Sequence, residues 1–244
     1  MTAAETAPLR VRGATKAFGD VRAVDGVDLD LEPGELMVLV GPSGCGKSTL
    51  LRSIAGLTPL DAGEIVVDGT TVDDGRRAAP PEGRPVGLVF QEHALFPHLT
   101  IGANVGFGIR GVGRPERAAQ VDELLEMVGI AHLRDRYPHE VSGGERQRAS
   151  VARAVAPRPA LLLLDEPFAS LDPNLRSAVR ASLVGLLRDT ATPAVFVSHD
   201  QTEALALGDR LAVMRAGHLE QVASGPDVYD RPANRFVAGF MGEA

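Results

Sequence analysis

Apolar and polar positions alternate from Val27 to Leu31, where Val27, Leu29 and Leu31 are separated by Asp28 and Asp30, the period of a half-buried strand. Glu32-Pro33-Gly34-Glu35 supplies a turn, and Leu36 to Val40 is a continuous apolar run that predicts a strand buried on both faces. After a glycine-rich segment the period changes. Leu50, Leu51, Ile54 and Leu57 fall at helical spacing, with Gly56 near the expected stop. Glu64 to Asp68 and Val86 to Phe90 read as further strands, and the Pro-, Gly- and charge-rich stretch Asp73 to Pro85 between them reads as a surface loop. From Pro115 to about Arg158 the pattern is helical: Val121, Leu124, Leu125 and Val128 share a face, and a second helix starts near Ser142. Leu161 to Leu164 and Ala194 to Val197 predict buried strands. Between them lies a helix that starts at Asp172-Pro173 and buries Leu175, Val179, Leu183, Leu186 and Leu187. A hairpin is expected at Ala216-Gly217. Strands and helices in alternation predict an α/β protein with a largely parallel sheet.

Composition narrows the class without changing that picture. The 244 residues are 44% hydrophobic and 23% charged, which fits one folded globular domain. The 25 basic residues against 32 acidic ones give a net charge of −7, which argues against a nucleic-acid backbone as main partner. The single cysteine, Cys45, cannot pair within the chain, and Met1 to Arg10 lacks the apolar core of a secretion signal, so a cytosolic setting is expected. No apolar run reaches membrane-spanning length.

Gly41-Pro42-Ser43-Gly44-Cys45-Gly46-Lys47-Ser48-Thr49 fits the P-loop pattern and lies between an apolar strand and an amphipathic helix, as that pattern requires. Its glycines let backbone amides point at phosphate oxygens, and the helix N-terminus adds positive potential. Lys47 is placed to neutralise the β and γ phosphates of a nucleotide, Ser48 to bind Mg²⁺, and Thr49 to reach the α-phosphate. Lys47 is one of only two lysines, the other being Lys16. Cys45 lies inside this loop, where positive potential favours a thiolate and a bound nucleotide would shield it from maleimide. Leu161-Leu162-Leu163-Leu164-Asp165-Glu166 ends a strand with two acids: Asp165 is suited to the Mg²⁺ shell and Glu166 to taking a proton from attacking water.

Val141-Ser142-Gly143-Gly144-Glu145-Arg146-Gln147-Arg148 resembles the LSGGQ signature of ATP-binding cassette (ABC) ATPases, with Val141 and Glu145 as departures. The resemblance extends over essentially the whole chain. Phe18 matches the aromatic that stacks on adenine, and Gln91 the glutamine that senses Mg²⁺ and the γ-phosphate. Ala169-Ser170-Leu171-Asp172 matches the loop that couples two sites, and His199 the switch histidine. By contrast, His93, His98, His132, His139 and His218 share no ligand spacing and read as surface or loop residues.

The resemblance implies a P-loop NTPase (RecA-like) core with an antiparallel β portion and an inserted α-helical subdomain. The core would span residues 1–91 and 157–224, the subdomain 92–156, and a short C-terminal tail 225–244. It implies a head-to-tail homodimer in which ATP and Mg²⁺ are held by Phe18 and residues 41–49 of one subunit and met by Ser142, Gly143, Gly144 and Glu145 of the other. Ser48, Gln91 and Asp165 would serve the metal, and Glu166, His199 and Gln91 the hydrolysis. It further implies a separate transmembrane permease, docked near Gln91 to Thr100 with Leu95 and Phe96 as an apolar pair. A solute-binding protein would act indirectly, and the chain would sit at the cytoplasmic side of the membrane. Ferric-iron importers look most similar, with thiamine, polyamine, sulfate and sugar systems close behind. A non-transport ATPase acting on a membrane partner is the alternative.

Overall fold

The computed structural model describes residues 7–89, 95–168 and 173–242, with side chains of the last stretch described from residue 176. Two sheets organise the chain. The first is antiparallel, built from β1 (Leu9–Phe18), β2 (Val21–Leu31), β4 (Ala62–Val67) and β5 (Thr70–Asp73) in the order β2-β1-β4-β5. The second has six strands in the order β10-β9-β3-β8-β7-β6: β10 (His218–Ala223), β9 (Arg210–Arg215), β3 (Leu36–Val40), β8 (Ala194–Val197), β7 (Leu161–Asp165) and β6 (Val86–Val89). Every pairing in it is parallel except β9 with the edge strand β10.

The apolar runs become central strands because both faces of the parallel sheet are covered. Leu36, Val38 and Val40 of β3 enter one core together with Leu162 and Leu164 of β7. Met37 and Leu39, with Leu161 and Leu163, enter the opposite core, which also holds Leu50, Leu51 and Ile54 of α1 (Lys47–Ile54) and the inner face of the antiparallel sheet. Helix α1 is thus packed between the two sheets. The other face carries α5 (Pro173–Asp189), through Val179, Leu183, Leu186 and Leu187, and α6 (Gln201–Leu207). Helices α2 (Ile101–Gly106), α3 (Arg114–Met127) and α4 (Gly143–Val155) leave the chain between β6 and β7 and share that core.

Four expectations need correction. Leu57 does not join the buried face of α1, because the helix ends at Ile54 and Gly56 turns the chain with φ +82°, leaving Leu57 exposed. The segment after Asp73 is not all surface. Arg84 is buried, donating to the carbonyls of Ser53 and Ile54 at 2.7 and 2.9 Å, with Asp73 at 3.6 Å, so it closes the open end of α1. The region from Pro115 to Arg158 is not continuously helical, since turns and short 3₁₀ segments fill the stretch between α3 and α4. Residues after 224 are more than a tail: α7 (Gly225–Asp230) and α8 (Arg235–Gly242) insert Val228, Val237 and Met241 into the core. The hairpin falls where expected, with Ala216 and Gly217 at φ +46° and +87°.

Candidate functional site

The site forms where the parallel strands end. β3 delivers the chain into Gly41 to Gly46, and α1 begins at Lys47 with no side chain capping its first turn, so its N–H groups face outward. Two glycines are obligatory here. A Cβ on Gly41 would lie 2.2 Å from the Met214 carbonyl oxygen, and one on Gly46, at φ +110°, 2.0 Å from that of Ala23. The loop is locked from below as Gly217 N–H donates to Cys45 O at 2.9 Å. Ala23, Ser43, Gly44, Gly46, Lys47, Ser48, Thr49 and Glu166 line a cleft of about 210 Å³.

Lys47, only 6% exposed, lies across the loop and donates from Nζ to Gly41 O at 2.7 Å and Pro42 O at 3.0 Å. These neutral carbonyls satisfy the ammonium without neutralising it, which leaves its charge available to an anion. Cys45 is 5% exposed and belongs to the core between the sheets, with Sγ 3.6 Å from Lys47 Nζ. Its side chain faces inward, contrary to the expectation of a thiol open to maleimide. The backbone is its contribution to the loop.

Ser48 Oγ donates to Asp165 Oδ1 at 2.9 Å, joining motifs 117 residues apart in sequence. Asp165 ends β7, is 8% exposed, and has its carboxyl pushed above the ordinary aspartate range by burial. The Ser48 hydrogen bond and the charges of Arg52 and Lys47 pull the other way, and Glu166 adds to the rise. A hydroxyl and a carboxylate in hydrogen-bond contact form the sparse, hard-oxygen donor set that Mg²⁺ takes alongside phosphate oxygens. The residues therefore fit Mg²⁺ and ATP.

Glu166 follows with φ +46°, a conformation rare for a non-glycine residue, and its N–H donates to Val197 O at 3.1 Å. The pairing of Asp165 with Val197 across β7 and β8 sets Glu166 beside the residues after β8, and His199 Nδ1 lies 3.5 Å from Glu166 Oε1. Phe18 ends β1, paired with Val21 across the turn, and is 54% exposed with Lys16 Nζ 5.7 Å from its ring centre. An exposed ring of this kind offers a face to a purine.

The other expected half-site stands apart on α4. Ser142 caps that helix and Glu145 closes a capping box: its Oε2 accepts from Ser142 N–H at 2.7 Å and from Ser142 Oγ at 2.8 Å. These bonds hold the Glu145 carboxyl below the usual range. Gln91 and Ala169 to Asp172 lie outside the described residues, as does His93. His98, His132, His139 and His218 are exposed, in keeping with the reading of them as surface or loop positions. The buried Asp73 and Arg84 were missed, because nothing in a polar loop marks one arginine as a helix-end partner.

A phosphate-binding loop between a central parallel strand and a helix, with an acid-tipped neighbouring strand, defines a P-loop nucleotide-binding protein of α/β architecture. The chain belongs to the ABC transporter family, whose model matches residues 24–169. It is 47% identical over 96% of its length to the spermidine/putrescine import ATP-binding protein PotA of Roseobacter denitrificans, covering 64% of that protein. Across curated relatives of this kind, the chain spans 63–66% of their length. Among solved structures it resembles the ATP-binding cassette MJ0796, a dimer in a post-hydrolysis state bound to ADP and Pi. There the TM-score is 0.75 and the identity 29%, over 88% of this chain and 98% of that one. It also resembles cbiO1 from Clostridium perfringens, part of the ABC transporter complex cbiONQ, with TM-score 0.83 and 27% identity over 94% of this chain and 93% of that one.

Proposed function

We propose that the chain binds and hydrolyses Mg-ATP as the energy-coupling subunit of an importer whose membrane channel is a separate permease. The observation that carries this reading is the convergence of Ser48, Asp165, Glu166 and His199 beside Lys47 at the strand ends. In it, Lys47 and the loop amides hold the phosphates, and Ser48 and Asp165 hold Mg²⁺, with Gln91 as a further ligand. Mg²⁺, when bound, neutralises charge on the transferred phosphoryl group. Glu166 accepts a proton from the attacking water, and His199 steadies the γ-phosphate. Phe18 stacks on the base. The open side of the γ-phosphate is closed by Ser142 to Glu145 of the partner subunit, so the working form is a head-to-tail homodimer. ATP favours closure and hydrolysis removes the contacts that hold it.

Among the described residues no helix is long and apolar enough to cross a membrane, which suits a subunit that acts from the cytoplasmic face through its permease. The proposed docking region includes Leu95 and Phe96, both half-buried. The Phe96 ring packs on the exposed Phe107 at 4.6 Å. For the cargo, similarity to a polyamine-import protein favours that alternative over the ferric iron expected from sequence. Purified protein is expected to hydrolyse ATP only with Mg²⁺. A strain lacking the gene is expected to lose spermidine uptake while keeping ferric-iron uptake. Absence of Mg-dependent hydrolysis would reject the activity, and the reverse uptake pattern would reject the cargo.

A further inference from the structure

Beside His199 lies a buried carboxylate for which the reaction above has no use. Glu203 stands in the first turn of α6, almost wholly inaccessible, and Asp200 is the N-cap of that helix, accepting from Glu203 N–H at 2.9 Å. In an ordinary capping box the glutamate would return to the N–H of the capping residue. Here a serine is inserted between them. Asp200 N–H donates to Ser198 Oγ at 3.1 Å, and Ser198 Oγ–H donates to Glu203 Oε2 at 2.5 Å. The serine is itself fixed from the sheet, since its N–H donates to Leu39 O at 3.2 Å, at the end of the strand that feeds the phosphate loop.

The relay brackets one residue. Ser198 and Asp200 are pinned on either side of His199, whose side chain is 59% exposed and meets Glu166 at 3.5 Å. An imidazole this exposed has little packing around it to set its direction, so the turn that carries it must do so. The second oxygen of Glu203, Oε1, is buried without a hydrogen-bond partner. Capping alone does not account for keeping such a group, because the Asp200 carboxylate already caps α6.

We propose that Glu203 is a positioning residue for hydrolysis: through Ser198 it fixes the Ser198–Asp200 turn and so the placement of the His199 imidazole against Glu166 and the γ-phosphate. This rests on the role given to His199 above. The bond from Ser198 needs an acceptor at Glu203 and not a charge, so the carbonyl oxygen of a glutamine serves equally.

A double-mutant cycle on the full chain tests it. Glu203→Ala is expected to lower kcat about 10- to 100-fold, the scale of a slight misplacement of a reacting group. KM for Mg-ATP should stay within about threefold. Glu203→Gln should restore kcat to within about threefold. In a His199→Ala background, Glu203→Ala should cost nothing further. The His199 ring signals in NMR should move in Glu203→Ala and return in Glu203→Gln. If Glu203→Ala does not fold, Ser198→Ala removes the same hydrogen bond and takes its place in the cycle, with Ser198→Thr as the conservative rescue. Equal losses of kcat with and without His199, or no loss at all, would overturn the proposal for Glu203 alone. Full turnover by His199→Ala would overturn the role of His199 and this proposal with it.

Discussion

The two halves of the proposed ATP site are built in opposite ways. At the phosphate loop the working groups are products of the core: Lys47 and Asp165 are nearly inaccessible, and strand register places Asp165 opposite Val197, so Glu166 and His199 meet without a loop having to find its position. At the N-terminus of α4, Ser142 is exposed, and its N–H and hydroxyl are both engaged by Glu145 of the same helix. The first half is assembled by folding. The second is a self-capped helix end that must release or share its donors before it can meet a partner's γ-phosphate. Damage to the first should therefore act within a subunit, and damage to the second only across the dimer.

The largest expected effect is at Glu166. Glu166→Gln keeps the shape but cannot accept a proton, and should cut steady-state ATPase by about 10²- to 10³-fold while ATP binding persists and a closed dimer accumulates. Turnover within a few-fold of wild type would remove Glu166 from the chemistry. Next is Lys47→Ala, which deletes a buried charge facing the phosphates and should weaken ATP affinity about 10- to 100-fold in calorimetric titration. Unchanged affinity would count against the phosphate-loop half. Ser142→Arg carries the comparison to the other half: ATP binding to the subunit should stay within about twofold, yet hydrolysis should fail because the fault lies across the interface. Mixing Ser142→Arg with Lys47→Ala subunits should restore ATPase, as the heterodimer holds one sound composite site. Proven heterodimers without activity would contradict the head-to-tail arrangement.

The same contrast separates what could be read from the chain and what could not. β3, β7 and β8 are continuous apolar runs buried on both faces, so position along the chain was enough to find them. The phosphate loop is a local motif whose glycines answer close backbone contacts, and it too was legible. Short or polar elements were not. β5 has four residues, two of them threonines, and its only local mark is the Asp68-Gly69 turn, both residues at positive φ. α2 has six residues, two of them glycine, and depends on the Thr100 cap and on packing. Arg84 gains its role from carbonyls some thirty residues earlier that only the fold brings near. The Asp200-x-x-Glu203 spacing at the start of α6 went unread, and the inserted Ser198 is a matter of side-chain geometry that no spacing shows. The P-loop pattern and the acid-tipped strand each pointed to Mg²⁺, but the direct Ser48–Asp165 hydrogen bond across 117 residues is set by the fold.

The smallest expected effect bears on the cost of building a half-site into the core. Asp165 is desolvated, and burial outweighs the Ser48 hydrogen bond and the nearby Arg52 and Lys47 charges, so its carboxyl sits above the ordinary aspartate value of 3.8. The folded chain then holds this proton more tightly than the unfolded chain does. Between the ordinary and the raised value, stability contributed by Asp165 falls as pH rises, and at neutral pH the ionised form is a net burden on the fold. At the proposed site, Mg²⁺ would relieve it by favouring the carboxylate. Asp165→Asn should accordingly raise Tm in EDTA by about 2–4 °C, the shift expected for about 1 kcal/mol in a chain of this size. With Mg-ATP the order should reverse, because wild type gains binding energy that the amide cannot. Scanning calorimetry of both proteins under both conditions reads the crossing directly. Parallel Tm shifts, with Asp165→Asn more stable throughout, would show that the buried carboxylate is not kept for the metal, and the difference between a core-built and a self-capped half-site would lose its chemical reason.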